Sequence, residues 1–115
     1  MGKKKTNDCL EVFLDYKWFD EIQRGVKTVE YRRICPFWAT RIFAHPFVDL
    51  YLMGDDKGKA ATDYPTQLKK QYIRFHRSYT STVIVARITK VDIGPCPYQG
   101  WDGDYYRIHF ELMKQ

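Results

Sequence analysis

The alternation of apolar and polar residues along the chain predicts five strands. In the first of them, Leu10, Val12 and Leu14 fall at every second position, a spacing that places their side chains on one face. The run 82–93 is the longest and is rich in β-branched residues, so we expect it to be a central strand. The five predicted strands are residues 9–16, 28–33, 48–53, 82–93 and 105–113.

The last predicted strand has a clear inner and outer face. Ile108, Phe110 and Leu112 share one face and are expected to point into the core. Arg107 and His109 alternate with them and are expected on the polar face, where a structural role for the histidine is the simplest interpretation.

A helix is predicted between the first two strands, over residues 16–25. Asp15 is suited to its N-cap position. Gly25 is suited to end it, because glycine adopts the left-handed conformation of a C′ residue at little cost. Trp18 and Ile22 are spaced as an apolar stripe along this helix.

The middle of the chain is less regular. Residues 34–47 contain two prolines and several aromatic residues, and are expected to form a packed turn or one helical turn. A second helix is predicted to begin at residue 62 or 63, with Leu68 and Tyr72 on one of its faces.

This order of elements predicts an α+β fold. Strands and helices joined by short connectors favour a curved mixed sheet or a small β-barrel with two or so flanking helices. No repeat and no linker is evident, so residues 1–115 are expected to form one domain, with residues 1–8 as a flexible basic terminus.

The amino-acid composition favours one class of binding partner. Lys and Arg number 19 against 14 Asp and Glu, a net charge of +5 that favours a polyanion. Aromatic residues make up 17% of the chain, so some are expected to reach the surface as stacking platforms. Neither a P-loop nor a Rossmann glycine pattern occurs, so no nucleotide cofactor is predicted.

Other classes of protein are disfavoured. Cys9, Cys35 and Cys96 lack the paired spacing of a zinc site or a disulfide framework, and no metal set is visible. No apolar run is long enough to span a bilayer, and the start of the chain does not resemble a signal peptide. Gly2 fits a loose myristoylation pattern, but a frayed basic terminus is the preferred interpretation. A cytoplasmic protein without cofactors is expected.

The segment GVKTVEYRR, residues 25–33, concentrates charge on a predicted strand. Glu30 and Arg32 share a face, so they can pair and direct the guanidinium toward a ligand. Lys27 is expected at the entrance of the strand, with its side chain free to swing. Two interpretations stay open, namely solvated charges after a helix-to-strand turn, or a polar face that meets an anionic ligand.

A second candidate segment is RFHRSYT, residues 74–80. His76, Arg77 and Tyr79 interleave cations with aromatic rings, as in proteins that hold single-stranded RNA. The alternative is an ordinary surface loop. Trp101 lies in a turn-rich connector and either forms the rim of a cleft or caps the barrel, with the cap preferred.

GVKTVEYR matches the G-x-K-x-x-E-x-R pattern of the ASCH family at Gly25, Lys27, Glu30 and Arg32. The chain resembles that family over roughly residues 10–112. ASCH domains are PUA-like β-barrels, so the resemblance implies this fold and a cleft that binds RNA or a modified nucleotide. Lys27 and Glu30 would then be candidate catalytic residues.

One branch of similar proteins hydrolyses acylated cytosine nucleosides, and this chain departs from it. Glu30 occupies the position where that branch has threonine, and residues 94–104 contain no glutamate. Binding of RNA or a modified nucleotide is therefore the preferred function. A small nucleoside amidohydrolase or a ribonuclease using Lys27 and Glu30 is the alternative, and a protein-interaction domain is a weaker one.

Overall fold

The structure, a computed structural model, describes residues 8–44 and 68–113. The predicted strand 48–53 and the predicted start of the second helix lie outside these residues, as do Gly2 and most of the basic terminus. The elements are β1 (Cys9–Leu14), α1 (Tyr16–Gln23), β2 (Val29–Arg33), α2 (Pro36–Ile42), β3 (Tyr72–Arg77), β4 (Val83–Pro95) and β5 (Asp104–Leu112).

The described strands form one sheet in the order β1-β3-β4-β5-β2, curled into a half-barrel. β1 pairs in parallel with β3, and the other neighbours are antiparallel. The α+β class is confirmed. β4 is the middle strand of the described sheet, as its length and β-branched residues predict.

The core lies between the sheet and the two helices. Phe19 and Ile22 of α1 are fully buried, and Ala39 and Ile42 of α2 pack into the same cluster. Asp15 occupies the N-cap of α1, where its carbonyl accepts from the Phe19 N–H at 3.1 Å. No helix in the described part of the chain is long and apolar enough to cross a membrane.

Three local predictions need correction. Residues 36–42 form a helix rather than one turn, because Pro36 suits the first helical position and Ala39 and Ile42 bury one face. Tyr72 begins β3 rather than lying on a helix, and residues 74–77 of RFHRSYT belong to the same strand. Leu112 is 40% exposed, because it is the last residue of β5 and lies beyond the core that Ile108 and Phe110 enter.

Candidate ligand-binding clefts

The turn between α1 and β2 places Lys27 at the candidate site. Gly25 has a φ of +79°, the left-handed conformation predicted for it. The Val26 and Lys27 N–H groups then both donate to the Glu21 carbonyl, at 2.9 and 3.1 Å. This arrangement turns the chain inward, so that only 7% of Lys27 is exposed. The prediction of a freely swinging lysine is therefore wrong.

The ammonium group of Lys27 has three close acceptors. Nζ donates to the Val29 carbonyl at 2.8 Å and to the Tyr98 hydroxyl at 3.1 Å, and it lies 3.2 Å from Glu30 Oε1. An ammonium group has three N–H donors. The network therefore satisfies the buried cation and fixes its position.

Three aromatic rings surround the same ammonium group. Nζ lies 5.5 Å from the centroid of the Trp18 ring and 5.2 Å from those of Tyr31 and Tyr98. These distances fall within the range of cation–π attraction. Burial raises the pKa of the Tyr31 hydroxyl, so this group stays protonated near neutral pH. Lys27 thus supplies a fixed positive charge behind an aromatic wall.

Glu30 joins Lys27 to Arg32. Its Oε1 faces Lys27, while its Oε2 accepts from Arg32 Nε at 2.7 Å and lies 2.6 Å from Arg32 Nη2. The predicted pairing of Glu30 with Arg32 is present in the structure. The Lys27 and Glu30 side chains are only 5% and 4% exposed, so their charges are not the solvated charges of a surface turn.

These residues border a concave surface of about 220 Å³, which we call the first cleft. Because β2 is an edge strand of the described sheet, side chains from both of its faces can border a cleft along this edge. The first cleft is lined by Phe13, Leu14, Asp15, Trp18, Lys27, Glu30, Tyr31, Arg32, Tyr98 and Trp101.

Trp101 forms part of the rim of the first cleft and is 39% exposed, so the preferred interpretation as a buried cap is wrong. Its ring contacts those of Tyr98 and Tyr105, with centroid separations of 5.7 and 5.4 Å. Gly100 and Gly103 have φ values of +87° and +81°, which let the connector present this indole beside the cleft.

A larger groove of about 560 Å³ adjoins the first and is called the second cleft. Sequence reasoning did not find it. Each of the three tryptophans of the protein lines at least one of the two clefts. The second cleft is lined by Tyr31, Arg32, Arg33, Cys35, Phe37, Trp38, Gly100, Trp101 and Tyr105.

The RFHRSYT residues lie beside the first cleft rather than in its lining. His76 stacks on Phe13 with centroids 4.1 Å apart, and Tyr79, 88% exposed, lies 5.3 Å from the same ring. Phe13 is the cleft residue that the rings of His76 and Tyr79 contact. His76 Nε2 also lies 2.6 Å from Glu11 Oε1.

Arg77 and Gly25 also lie outside the lining. Arg77 makes two hydrogen bonds to Asp20, at 3.0 and 3.3 Å, and its guanidinium lies over the Tyr16 ring. Both contacts are with residues of α1, so the Arg77 guanidinium is already paired there. Gly25 contributes through its backbone conformation.

Sequence reasoning missed the aromatic wall of the first cleft. The sequence pattern places Trp18 in an apolar helical stripe and does not single out Tyr31 or Tyr98. Tyr98 lies 71 positions from the lysine it contacts, so no local pattern in the sequence could reveal the pair.

Comparison with known proteins leaves the family open. Scans against protein-family models, curated proteins and solved structures found no match. The resemblance to the ASCH family therefore stays a prediction, carried by Gly25, Lys27, Glu30 and Arg32. Among the described residues, no group of three or more His, Cys, Asp or Glu side chains could hold a metal ion.

Proposed function

We propose that this protein is a PUA-like domain of the ASCH type that binds single-stranded RNA or a modified nucleotide in the first cleft. The observation that carries the proposal is the buried Lys27–Glu30–Arg32 network, set against the rings of Trp18, Tyr31 and Tyr98 in one cleft. Aromatic rings stack on unpaired bases, and fixed polar groups can read their edges.

The charges of the cleft have distinct parts in this proposal. Lys27 is held by three acceptors, one of them the Glu30 carboxylate, so it contributes a rigid wall with a paired charge. Arg32 is 22% exposed at its side chain and presents the edge of its guanidinium that does not face Glu30. Trp101 supplies a partly exposed ring for stacking. A base would stack on the exposed part of this ring, beside the aromatic wall.

A second candidate function is hydrolysis of a nucleoside or of RNA. The observation that favours it is the contact of Lys27 Nζ with Glu30 Oε1 at 3.2 Å, which brings an acid and a base together in a cleft. The Val29 carbonyl, the Tyr98 hydroxyl and Glu30 already hold the ammonium group, which favours a positioning role for Lys27 over proton transfer.

A titration followed by tryptophan fluorescence tests the binding proposal. The ligands are short single-stranded RNAs of mixed sequence and a panel of modified nucleosides that includes N4-acetylcytidine. We expect saturable quenching, because stacked bases would contact Trp18 or Trp101. Truncating a stacking ring costs about 1–3 kcal/mol per base, so Trp101→Ala should weaken binding by roughly 5- to 150-fold.

Arg32→Gln should also weaken binding, while Arg24→Gln, an exposed arginine outside both cleft linings, serves as the matched control. Mass spectrometry of the same samples separates the two candidate functions, since new products that are absent with Lys27→Met would indicate an enzyme. No saturable binding by any ligand, or equal binding by wild type, Trp101→Ala and Arg32→Gln, would contradict the proposal.

A further inference from the structure

The second cleft combines positive charge with exposed aromatic surface. Its lining contains Arg32 and Arg33 and, among the described residues, no carboxylate. Five of its lining residues are aromatic. Phe37 is 53% exposed on this surface. Arginines beside exposed aromatic surface are the combination that holds the phosphates and bases of a single strand.

The two clefts are neighbours that share a wall. Tyr31, Arg32 and Trp101 line both of them. Arg32 spans the boundary, because its Nε donates to Glu30 in the first cleft while its Cζ lies 4.8 Å from the centroid of the Trp38 ring in the second. The two clefts therefore border each other along these three residues.

Size separates the roles of the two clefts. The first cleft, at about 220 Å³, is smaller than the roughly 300–1,000 Å³ of sites that enclose drug-sized ligands. The second, at about 560 Å³, lies within that range. The first cleft thus suits one base, whereas the pair of clefts suits a longer ligand with an anionic link.

We infer that the ligand is a single-stranded RNA of at least two nucleotides, with one base in the first cleft and the adjoining nucleotide in the second. Arg33 contacts the phosphate of that second nucleotide. Phe37, whose ring is covered on one side by the Arg41 guanidinium, offers the base its remaining exposed surface. This inference rests on the proposed function and specifies its ligand. It assigns binding roles to Arg33 and Phe37, which lie outside the ASCH-like motif.

The test compares ligands of increasing length on the intact protein. For each of the four RNA bases, the nucleoside, its 3′-monophosphate and the homodinucleotide are titrated by tryptophan fluorescence at about 50 and 200 mM salt. We expect the dinucleotide to bind roughly 5- to 150-fold more tightly than the monophosphate, the gain of one stacked base. Phe37→Ala should remove most of this gain.

Arg33→Gln should lower the slope of log affinity against log salt by about 0.7 for the dinucleotide, the effect of one lost phosphate contact on a single strand. Affinity for the nucleoside should not change. The matched controls are Arg24→Gln and Tyr16→Ala, which change an exposed arginine and a half-exposed aromatic residue outside both clefts.

The outcomes distinguish this inference from the proposed function. If the dinucleotide binds no more tightly than the monophosphate, or if Arg33→Gln and Phe37→Ala weaken nucleoside and dinucleotide equally, the second cleft is not a nucleotide subsite, although the first cleft still binds. If none of the nucleosides, monophosphates or dinucleotides binds, the inference is wrong whatever the modified nucleosides do.

Discussion

Replacing Glu30 by glutamine removes the one carboxylate that contacts both Lys27 and Arg32. The substitution keeps the shape of the side chain and changes its charge. Lys27 then stays buried, with its side chain 5% exposed, and every group that accepts from its ammonium, such as the Val29 carbonyl and the Tyr98 hydroxyl, is neutral. Arg32, at 22% side-chain exposure, is better placed to recover hydration. We therefore expect a loss of stability that arises mainly at the lysine.

The magnitude follows from the burial of the network. Removing one partner of a buried ion pair costs about 3–5 kcal/mol, because the other charge is left without compensation. Because Arg32 is partly exposed, we expect the loss of stability for Glu30→Gln near the lower end of this range, at about 3 kcal/mol. For a domain of this size that loss corresponds to a fall in Tm of roughly 10–15 °C. The free energy of unfolding of a typical domain is about 5–15 kcal/mol, so the variant should still fold.

Urea unfolding followed by far-ultraviolet circular dichroism measures the change, and Glu111→Gln is the matched control. Glu111 pairs with Arg87 at the surface, where both side chains are more than half exposed, so its loss should cost about 0–1 kcal/mol. The double variant Lys27→Met/Glu30→Gln should be more stable than Glu30→Gln alone, because no buried cation is left unpaired. If Glu30→Gln behaves like the control, or if the second substitution adds a further full loss, the buried charge network does not stabilise this fold as argued.

Two further predictions concern Asp92, a buried carboxylate on β4. Burial alone would raise the pKa of the Asp92 carboxyl, but hydrogen bonds from Arg107 and His109 outweigh it and lower the pKa below its usual value. Asp92 therefore stabilises the fold above its unfolded pKa of about 3.9 and loses that contribution as pH falls through the lower folded value. Urea midpoints between about pH 2 and pH 6 should accordingly fall less for Asp92→Asn than for the wild type, and equal falls would contradict this assignment. Gly94→Ala should displace Arg107, because an added Cβ would lie 2.5 Å from its Cζ. We therefore expect a lower Tm at neutral pH. An unchanged Tm would show that Arg107 shifts without loss of stability.

Local sequence patterns were sufficient to predict the helices and strands that depend mainly on neighbouring residues. Apolar alternation located β1 and β5, and the Asp15 and Gly25 signals located the limits of α1. The long β-branched run correctly predicted the middle strand of the described sheet. Prediction failed for α2 and β3, because packing against the core, rather than intrinsic preference, decides such short elements.

The candidate site divides in the same way. The pairing of Glu30 with Arg32 depends only on side chains two apart on a strand, so it could be predicted. The burial of Lys27 and its contact with Tyr98 depend on where the connector after β4 returns to the sheet. Arg33 was evident as a charge, but only the position of α2 shows that it borders an aromatic groove.

The sequence by itself determined the α+β class, the local limits of most elements and the charged face of β2, because each depends on neighbouring residues and on the periodicity of strand and helix. Only the tertiary structure decided which charges are buried and which rings enclose them. Those properties depend on contacts between segments far apart in the chain. Such contacts exist only once the whole chain has folded along one path. The two adjoining clefts are the consequence of that path.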